Sequence, residues 1–248
     1  MEYVSVEEAV ELPGLRLVLG PGSPGPWNEA AKAFFRLKGI AFTPVAKPPE
    51  GEREGLLRWT RQTSAPVAMY EKERPRSGWA EILFLAERLQ PAPALVPEDP
   101  YQRALMLGLC FEICGEHGFG WTRRLLILPS DTSGVHDSMP WKYGLEDAAA
   151  AAGAAQRLRR ILELLARQLD EQRARGRRFL VGENLSALDV CWATFSNMVA
   201  PLPHEQSPMP DWLRAVYETP ISGVTPPPAL LEHRDFVFGE YLGLPQEF

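Results

Sequence analysis

One stretch of the sequence decides the fold, and it reads Thr63-Ser64-Ala65-Pro66-Val67-Ala68-Met69-Tyr70. The residues after the proline favour a β-strand, and proline belongs at a strand's first position because it lacks the N–H that a strand interior needs. X–Pro is also the only peptide bond with an appreciable cis population. A cis bond at Ala65-Pro66 would turn the N–H and C=O of Ala65 away from the sheet, toward a ligand. The alternative is an ordinary trans proline at a strand start, and the surrounding sequence has to decide.

The composition excludes several classes of protein. The chain has 248 residues, 45% apolar and 23% charged, which is ordinary for a globular protein. Its net charge of −6 argues against nucleic-acid binding through a general basic field. No apolar run is long enough to span a membrane, and the N-terminus lacks the basic segment of a signal peptide. Three cysteines are too few for a disulfide framework, so we expect a cytoplasmic protein.

Strands and helices alternate on both sides of the proline strand. Lys38-Gly39 supplies a stop for the predicted helix 27–37. A short additional strand fits between Glu71 and Ser77. This order predicts an α/β layer whose first two strands are parallel. The predicted elements are strand 15–19, helix 27–37, strand 42–45, helix 55–62, the proline strand and helix 78–89.

The remainder of the chain is helical by pattern. Residues 90–97 are rich in proline and suit a semi-rigid connector. The sequence therefore predicts a first domain at 1–89, a linker at 90–99 and an all-helical domain at 100–248. Helices are expected from Tyr101 to about residue 115 and across 145–175, on either side of a polar loop at 130–139.

A capping box precedes another predicted helix. Ser186 is followed three residues later by Asp189, so its hydroxyl can bond the N–H of Asp189 while the carboxylate reaches back to the N–H of Ser186. Leu185 and Val190 flank the cap and can form the hydrophobic staple.

Together these features resemble the glutathione S-transferase superfamily over nearly the whole chain. That family has an X–Pro at the start of the third strand of a thioredoxin-like half, then a linker and an all-helical half. The helical half carries an F-L-x-G-x-x-x-S/T-x-A-D segment. The chain has leucine at position 188 where alanine is usual, and it matches the segment at Phe179, Leu180, Gly182, Ser186 and Asp189.

The resemblance implies a glutathione site. In the family the proline is cis and the residue before it, here Ala65, pairs with the cysteinyl backbone of glutathione. The γ-glutamyl carboxylate binds at the start of the following helix, which places Ser77, Gly78 and Trp79 there. Ser77 is then expected as the N-cap. The usual acidic partner is missing, and Arg76 could contact the carboxylate directly instead.

The family's thiol-activating residue is also displaced. Its Ser or Cys falls on Gly25, which has no side chain to donate a hydrogen bond. Ser23 is the first candidate for lowering the thiol pKa, Asn28 the second, and backbone N–H groups at the helix start the third. The alternative for Ser23 is a simple turn residue.

An apolar pocket for an electrophile would be lined by Trp27, Phe111 and Trp121, with core packing as the alternative for Phe111. The function implied is a glutathione transferase of the detoxification type, acting on a small apolar or aromatic substrate as a homodimer. Two alternatives are a non-catalytic binding or interaction module and a glutathione-dependent isomerase or reductase.

No metal site is expected. Cys110, Cys114 and His117 are spaced along one predicted helix, but a structural zinc site needs four ligands, so the cysteines are interpreted as buried core residues. His136, His204 and His233 lack a neighbouring carboxylate or nucleophile in sequence and are interpreted as loop or surface residues.

Overall fold

The computed structural model describes residues 1–128, 139–145 and 151–248. The chain forms two compact units. The first contains Met1–Leu95 together with Pro203–Pro210 and Leu242–Phe248, and the second contains Val96–Leu202 and Asp211–Tyr241. The first unit thus includes two segments from the region predicted as helical domain. These segments are tied to each other, since the N–H of Gln246 donates to the carbonyl of Gln206 at 2.8 Å.

The first unit is a three-stranded sheet with helices. The strand order is β2-β1-β3, with β1 parallel to β2 and antiparallel to β3. The predicted parallel first pair is therefore confirmed. Its elements are α1 (Val6–Glu11), β1 (Leu15–Leu19), α2 (Pro26–Leu37), β2 (Thr43–Ala46), α3 (Glu54–Thr60), β3 (Val67–Tyr70) and α4 (Trp79–Leu89).

The additional strand expected between residues 71 and 77 is reduced to a single bridge. Ala68 and Arg76 exchange two backbone hydrogen bonds of 2.8 and 3.0 Å. Pro75 stands next to Arg76 and has no N–H to continue a ladder. The chain after Arg76 consequently runs back along β3 toward Pro66.

Helix α1 was not predicted, although its start carries a capping box. The N–H of Ser5 donates to Glu8 Oε2 at 2.8 Å, and the N–H of Glu8 donates to Ser5 Oγ at 3.2 Å. The helix has only six residues, which is too short for a helical period to show in the sequence. It adds to one core cluster, made of Val6, Ala9, Val18, Val45, Leu56, Val67 and Met69.

The predicted stop of α2 has a second role. Gly39 has a φ of +66°, as expected for a glycine that follows a helix end. The preceding Lys38 is buried, and its Nζ lies 2.9 Å from the Glu87 carboxylate. It also donates to the carbonyls of Gln90 and Pro93 at 2.8 and 2.7 Å. One ammonium group thus anchors the proline-rich segment that follows α4.

The second unit consists of helices in its described residues. Helix α8 buries the predicted stripe at 158, 161, 162, 165 and 169, which confirms the period of that helix. The loop predicted at 130–139 lies outside the described residues except for Met139, which begins a helix. The helices are α5 (Pro100–Cys114), α6 (Phe119–Ile127), α7 (Met139–Lys142), α8 (Ala154–Ala174), α9 (Ala187–Ser196), α10 (Asp211–Glu218) and α11 (Pro228–Val237).

The buried carboxylate of Asp189 organises the start of α9. The predicted capping box is present, and Asp189 Oδ2 accepts from the N–H and the hydroxyl of Ser186 at 2.9 and 2.8 Å. Its Oδ1 accepts from the N–H of Leu180 at 2.8 Å and lies 2.8 Å from His233 Nε2. The surface position predicted for His233 is therefore wrong. This histidine is buried because a carboxylate distant in sequence satisfies it.

The cysteines are buried, as predicted. Cys110 and Cys114 lie on α5 and Cys191 on α9, and all three are free thiols. His117 lies beyond the end of α5 and is exposed, so it does not share a helix face with the cysteines. Among residues 1–128, 139–145 and 151–248, no cluster of three or more histidine, cysteine or carboxylate side chains could hold a metal ion.

His204 is exposed, as predicted, whereas His136 lies outside the described residues. Within the part of the chain that the structure describes, none of the helices is long and apolar enough to cross a membrane.

The C-terminal segment of the first unit packs on α2. Lys32 Nζ lies 2.7 Å from the buried Glu29 carboxylate and donates to the carbonyl of Glu247 at 2.5 Å. Arg36 forms an ion pair of 3.2 Å with the Glu247 side chain. Burial raises the pKa of Glu29 to about 7, against the opposing effect of Lys32. Glu29 thus gains a proton in the folded state at a pH where the unfolded chain has lost it.

Substitution of Asp189 by alanine should destabilise the protein strongly. The change leaves buried groups of Leu180, Ser186 and His233 without their partner, which costs about 3–5 kcal/mol. We expect the thermal midpoint to fall by about 10 °C. Asp170→Ala on the exposed face of α8 is the matched control. A midpoint for Asp189→Ala close to that of the control would contradict this role.

The raised pKa of Glu29 predicts a pH dependence of stability. Between the ordinary glutamate pKa of 4.5 and about 7 the folded state holds the proton more tightly than the unfolded state, so the free energy of unfolding falls as pH rises. Glu29→Gln removes this contribution, which amounts to about 3 kcal/mol. Urea unfolding at either end of that pH window measures it. The difference between wild type and variant should change with pH, whereas exposed Glu50→Gln should show a constant difference.

Candidate functional site

Three chain segments meet at one edge of the sheet in the first unit. Val18 pairs with Val67 at this end of the β1–β3 ladder, so the register brings the chain after Leu19 alongside Pro66 and Ala65. Because Arg76 pairs with Ala68, the start of α4 returns to the same edge. The loop into α2, the proline strand and the start of α4 carry all the residues predicted to bind or activate glutathione.

The backbone of Ala65 is open. The Ala65-Pro66 bond is cis, and the β3 ladder begins only at Val67. Within the described residues, no hydrogen bond engages the N–H or C=O of Ala65. The residue is half-buried, while Pro66 beside it is buried. A peptide lying along this edge would find one donor and one acceptor without a competing partner.

The side chain of Asn28 takes the space that a side chain at residue 25 would need. Gly25 is the N-cap of α2, and Asn28 lies in the first turn of that helix. A Cβ added at Gly25 would lie only 2.9 Å from Asn28 Nδ2, and one added at Gly20 would lie 3.2 Å from it. The missing hydroxyl at residue 25 and the amide at residue 28 are therefore linked by steric exclusion.

Asn28 also presents an unsatisfied polar atom. Its Oδ1 is buried and has no hydrogen-bond partner among the described residues. Such an acceptor typically costs about 1–3 kcal/mol, so it calls for an explanation. Ser23 lies in the turn before α2, where its carbonyl accepts the N–H of Gly25 at 2.9 Å. The geometry favours Asn28 over Ser23 as the polar group of this site.

The start of α4 already holds a carboxylate of the chain itself. The N-cap is Gly78 rather than Ser77, so the predicted cap is shifted by one residue, and Trp79 is the first helical residue. Glu81 Oε2 accepts the N–H groups of Ser77 and Gly78 at 3.3 and 3.2 Å. Glu81 Oε1 accepts a hydrogen bond of 2.6 Å from Arg74 Nη1, and this bond lowers the pKa of Glu81.

Arg76 is engaged elsewhere. Its guanidinium forms an ion pair of 2.7 Å with Glu73 and donates to the carbonyl of Arg74. The direct contact with a ligand carboxylate that the sequence suggested for Arg76 would have to break this pair.

The predicted pocket residues belong to different units. Trp27 is half-buried in the first turn of α2. Phe111 is 54% exposed on α5, so the core-packing alternative is wrong for it. Trp121 on α6 packs against Tyr143, with ring centroids 4.6 Å apart. An electrophile pocket shared by these three residues stays a prediction.

Sequence reasoning missed Glu81. The signal was present, because a Gly-x-x-Glu pattern at a helix start is a variant of the capping box.

Comparison of the sequence with protein-family models and with curated proteins gave no match. Solved structures, in contrast, match over about nine tenths of the chain. A tau class glutathione S-transferase from mango, Mangifera indica, is 18% identical, with a TM-score of 0.60 over 90% of this chain and 87% of its own.

Two bacterial structures agree with it. A glutathione S-transferase from Methylobacterium radiotolerans is 21% identical, with a TM-score of 0.59 over 94% of this chain and 97% of its own. One from Methylobacillus flagellatus is 15% identical, with a TM-score of 0.61 over 90% and 94%. The chain has the glutathione S-transferase fold, as its sequence predicts.

Proposed function

We propose that this protein binds glutathione and transfers its thiolate to a small apolar electrophile. The observation that supports this proposal is the half-buried Asn28 amide, whose Oδ1 has no partner among the described residues, at the same sheet edge as the open backbone of Ala65. The structural relatives support the ligand, since the Methylobacterium protein was solved with glutathione sulfonate and the Methylobacillus protein with glutathione.

The open backbone of Ala65 suits an extended peptide. A tripeptide that lies antiparallel to residues 64–66 adds a short strand, and its main-chain groups bind the free N–H and C=O of Ala65. Because this contact involves only backbone atoms, it does not depend on the side chain that precedes the proline. It places the cysteinyl residue of the ligand at the edge where α2 begins.

Asn28 then supplies the group that Gly25 lacks. Its Nδ2 donates to the sulfur, and a hydrogen bond to the charged form of an acid lowers that acid's pKa. The thiol proton passes to solvent. A sulfur lone pair forms the new C–S bond, and the leaving group of the electrophile departs with its bonding electrons.

A second candidate is a binding module without transferase activity. It is favoured by the start of α4, where Glu81 occupies the N–H groups of Ser77 and Gly78. A ligand carboxylate would have to displace Glu81 and take over Arg74. The homodimer and the cytoplasmic location implied by the resemblance stay predictions.

Asn28→Asp tests the activating role at constant side-chain shape. The carboxylate removes the Nδ2 donor and repels the thiolate, so kcat/KM with 1-chloro-2,4-dinitrobenzene should fall about 100-fold. The pH–rate profile should also move to higher pH, because the thiol pKa rises. Steady-state conjugation assays across pH measure both effects.

Two further variants sharpen this test. Ser23→Ala should keep its activity within about twofold, since Ser23 is only a turn residue. The pair Gly25→Ser with Asn28→Ala should recover part of the activity lost in Asn28→Ala alone, because the serine enters the space that the amide leaves. Unchanged activity and pH profile in Asn28→Asp would refute the role of Asn28. A wild-type protein that conjugates neither aryl halides nor epoxides would refute the transferase itself.

Glu81→Gln separates the two candidate functions. The substitution keeps the side-chain length but removes the negative charge at the start of α4 and frees Arg74, so a ligand carboxylate binds there more favourably. We expect the glutathione Kd to fall about fivefold in isothermal titration calorimetry. Exposed Glu50→Gln, with the same charge change, should leave it unaltered. If neither the wild type nor the variant binds glutathione, the transferase proposal is refuted. The non-catalytic module, with a different ligand, then remains as the candidate function.

A further inference from the structure

A second cavity lies in the first unit, at the end of the sheet away from Ala65. It has a volume of about 460 Å³ and is formed by α3, the start of β1 and the turn after β3. Two carboxylates line it, at Glu71 and Glu73. Five basic side chains line it as well, those of Arg16, Arg58, Arg61, Lys72 and Arg74.

Arg16 is a buried cation that forms no direct ion pair with a carboxylate of the described residues. It projects from the central strand β1 and is only 3% exposed. Its two terminal nitrogens donate to the carbonyls of Gly14 and Glu71 at 3.0 and 2.9 Å. Within the described residues its Nε has no hydrogen-bond partner and no carboxylate forms an ion pair with it. Burial lowers the pKa of Arg16, and the charge of the nearby Glu71 carboxylate opposes this effect only in part. Buried charges without a direct ion pair are costly and concentrate at functional sites.

The Glu71 carboxylate contributes one negative charge near Arg16, but three further cations leave the cavity cationic. Arg58, Arg61 and Lys72 are exposed and form no ion pair with any described residue. The carboxylate of Glu73 is already neutralised, because it pairs with Arg76 and Arg88 at 2.7 and 2.6 Å. Since the whole chain carries a net charge of −6, this positive charge is a local feature of the cavity.

Two lining residues hold a backbone conformation that side chains disfavour. Arg61 has a φ of 58° and Glu71 a φ of 47°, and in the described residues only His117 shares this property among non-glycine residues. Such conformations cost about 1 kcal/mol or more each and cluster at ligand sites. Both residues present charged side chains to the same space.

An apolar cavity adjoins the cationic one. It has a volume of about 280 Å³ and shares Val10, Arg58 and Trp59 with its neighbour. Val6 and Gly55 add to its apolar wall, and Glu7 is its one acidic lining residue. The ring of Trp59 also lies 5.7 Å from the guanidinium carbon of Arg16, so it connects the two cavities.

We propose that this paired cavity is a second ligand site, which binds a phosphate group attached to an apolar or aromatic body. The phosphate accepts hydrogen bonds from the guanidinium groups of Arg16 and Arg58 and from the ammonium of Lys72, geometries that suit its oxygens. The apolar body lies against Val10 and Trp59. This site is independent of glutathione, because it occupies the opposite end of the β1–β3 ladder.

Isothermal titration calorimetry with 1-naphthyl phosphate tests the site, with inorganic phosphate and 1-naphthol as comparison ligands. Naphthyl phosphate should bind at least about tenfold more tightly than either part, because charge and apolar burial both contribute. Arg58→Gln combined with Lys72→Gln should weaken its binding about 100-fold, or about tenfold for each charged contact. These side chains are exposed, so the variant retains its fold, and its thermal midpoint verifies that.

The matched control is Arg160→Gln combined with Arg167→Gln on the exposed face of α8, which changes the net charge equally. It should bind naphthyl phosphate as the wild type does. The proposal is overturned if naphthyl phosphate does not bind, if both double variants lose affinity equally, or if glutathione displaces it. Equal affinity for naphthyl phosphate and inorganic phosphate would refute the proposed contact of the ligand's apolar body with Val10 and Trp59. Glutathione affinity should be the same in both double variants. Whether or not naphthyl phosphate binds, the result therefore neither supports nor refutes the transferase proposal.

Discussion

The antiparallel pairing of β1 with β3 is the constraint on which the rest of the first unit depends. Side chains alternate between the faces of a strand, and Val67, Ala68 and Met69 are all buried, so a slip of one residue would exchange the side chains that pack on the two faces of the sheet. With Val18 opposite Val67, the loop into α2 comes to lie beside Ala65. The same register sets Arg16 opposite Met69 and brings Glu71 close enough for its carbonyl to accept from the guanidinium. The two proposed ligand sites therefore lie at opposite ends of one ladder.

At the end of the ladder near Ala65, the side chains determine the chemistry while the backbone arrangement stays the same. The backbone of Ala65 keeps its open donor and acceptor whatever side chains surround it. Around it, a side chain at residue 25 would require the Asn28 amide to move, because a Cβ there would lie only 2.9 Å from Asn28 Nδ2. At the start of α4 the chain has replaced the expected external anion by its own Glu81. The free backbone groups of Ala65 and the occupied start of α4 are thus separate features of this edge, and the two proposed functions differ in which of them a ligand would use.

Hydrophobic periodicity and helix-capping signals predicted those elements that are determined by residues close together in the sequence. Strand β1, helix α2 with its Gly39 end and the apolar stripe of α8 all follow from periodicity and capping, and the structure has them. Contacts between residues distant in sequence were not predictable. The partner of His233 lies 44 residues away at Asp189, so nothing near the histidine indicated burial. Arg16 stands in an apolar strand, and its carbonyl partners are fixed only when the turn after β3 folds back. Asn28 was a candidate from its place in the first turn of α2, whereas its contact with Gly25 required coordinates.

The most direct test of the account is a crystal structure of this protein with glutathione sulfonate bound. The register places an open backbone edge at Ala65, so the cysteinyl N–H and C=O of the ligand should lie within hydrogen-bond distance of the Ala65 carbonyl and N–H. The sulfonate should lie beside Asn28 Nδ2. A ligand bound elsewhere on the chain, or an edge at Ala65 that stays empty at saturating ligand, would contradict the account.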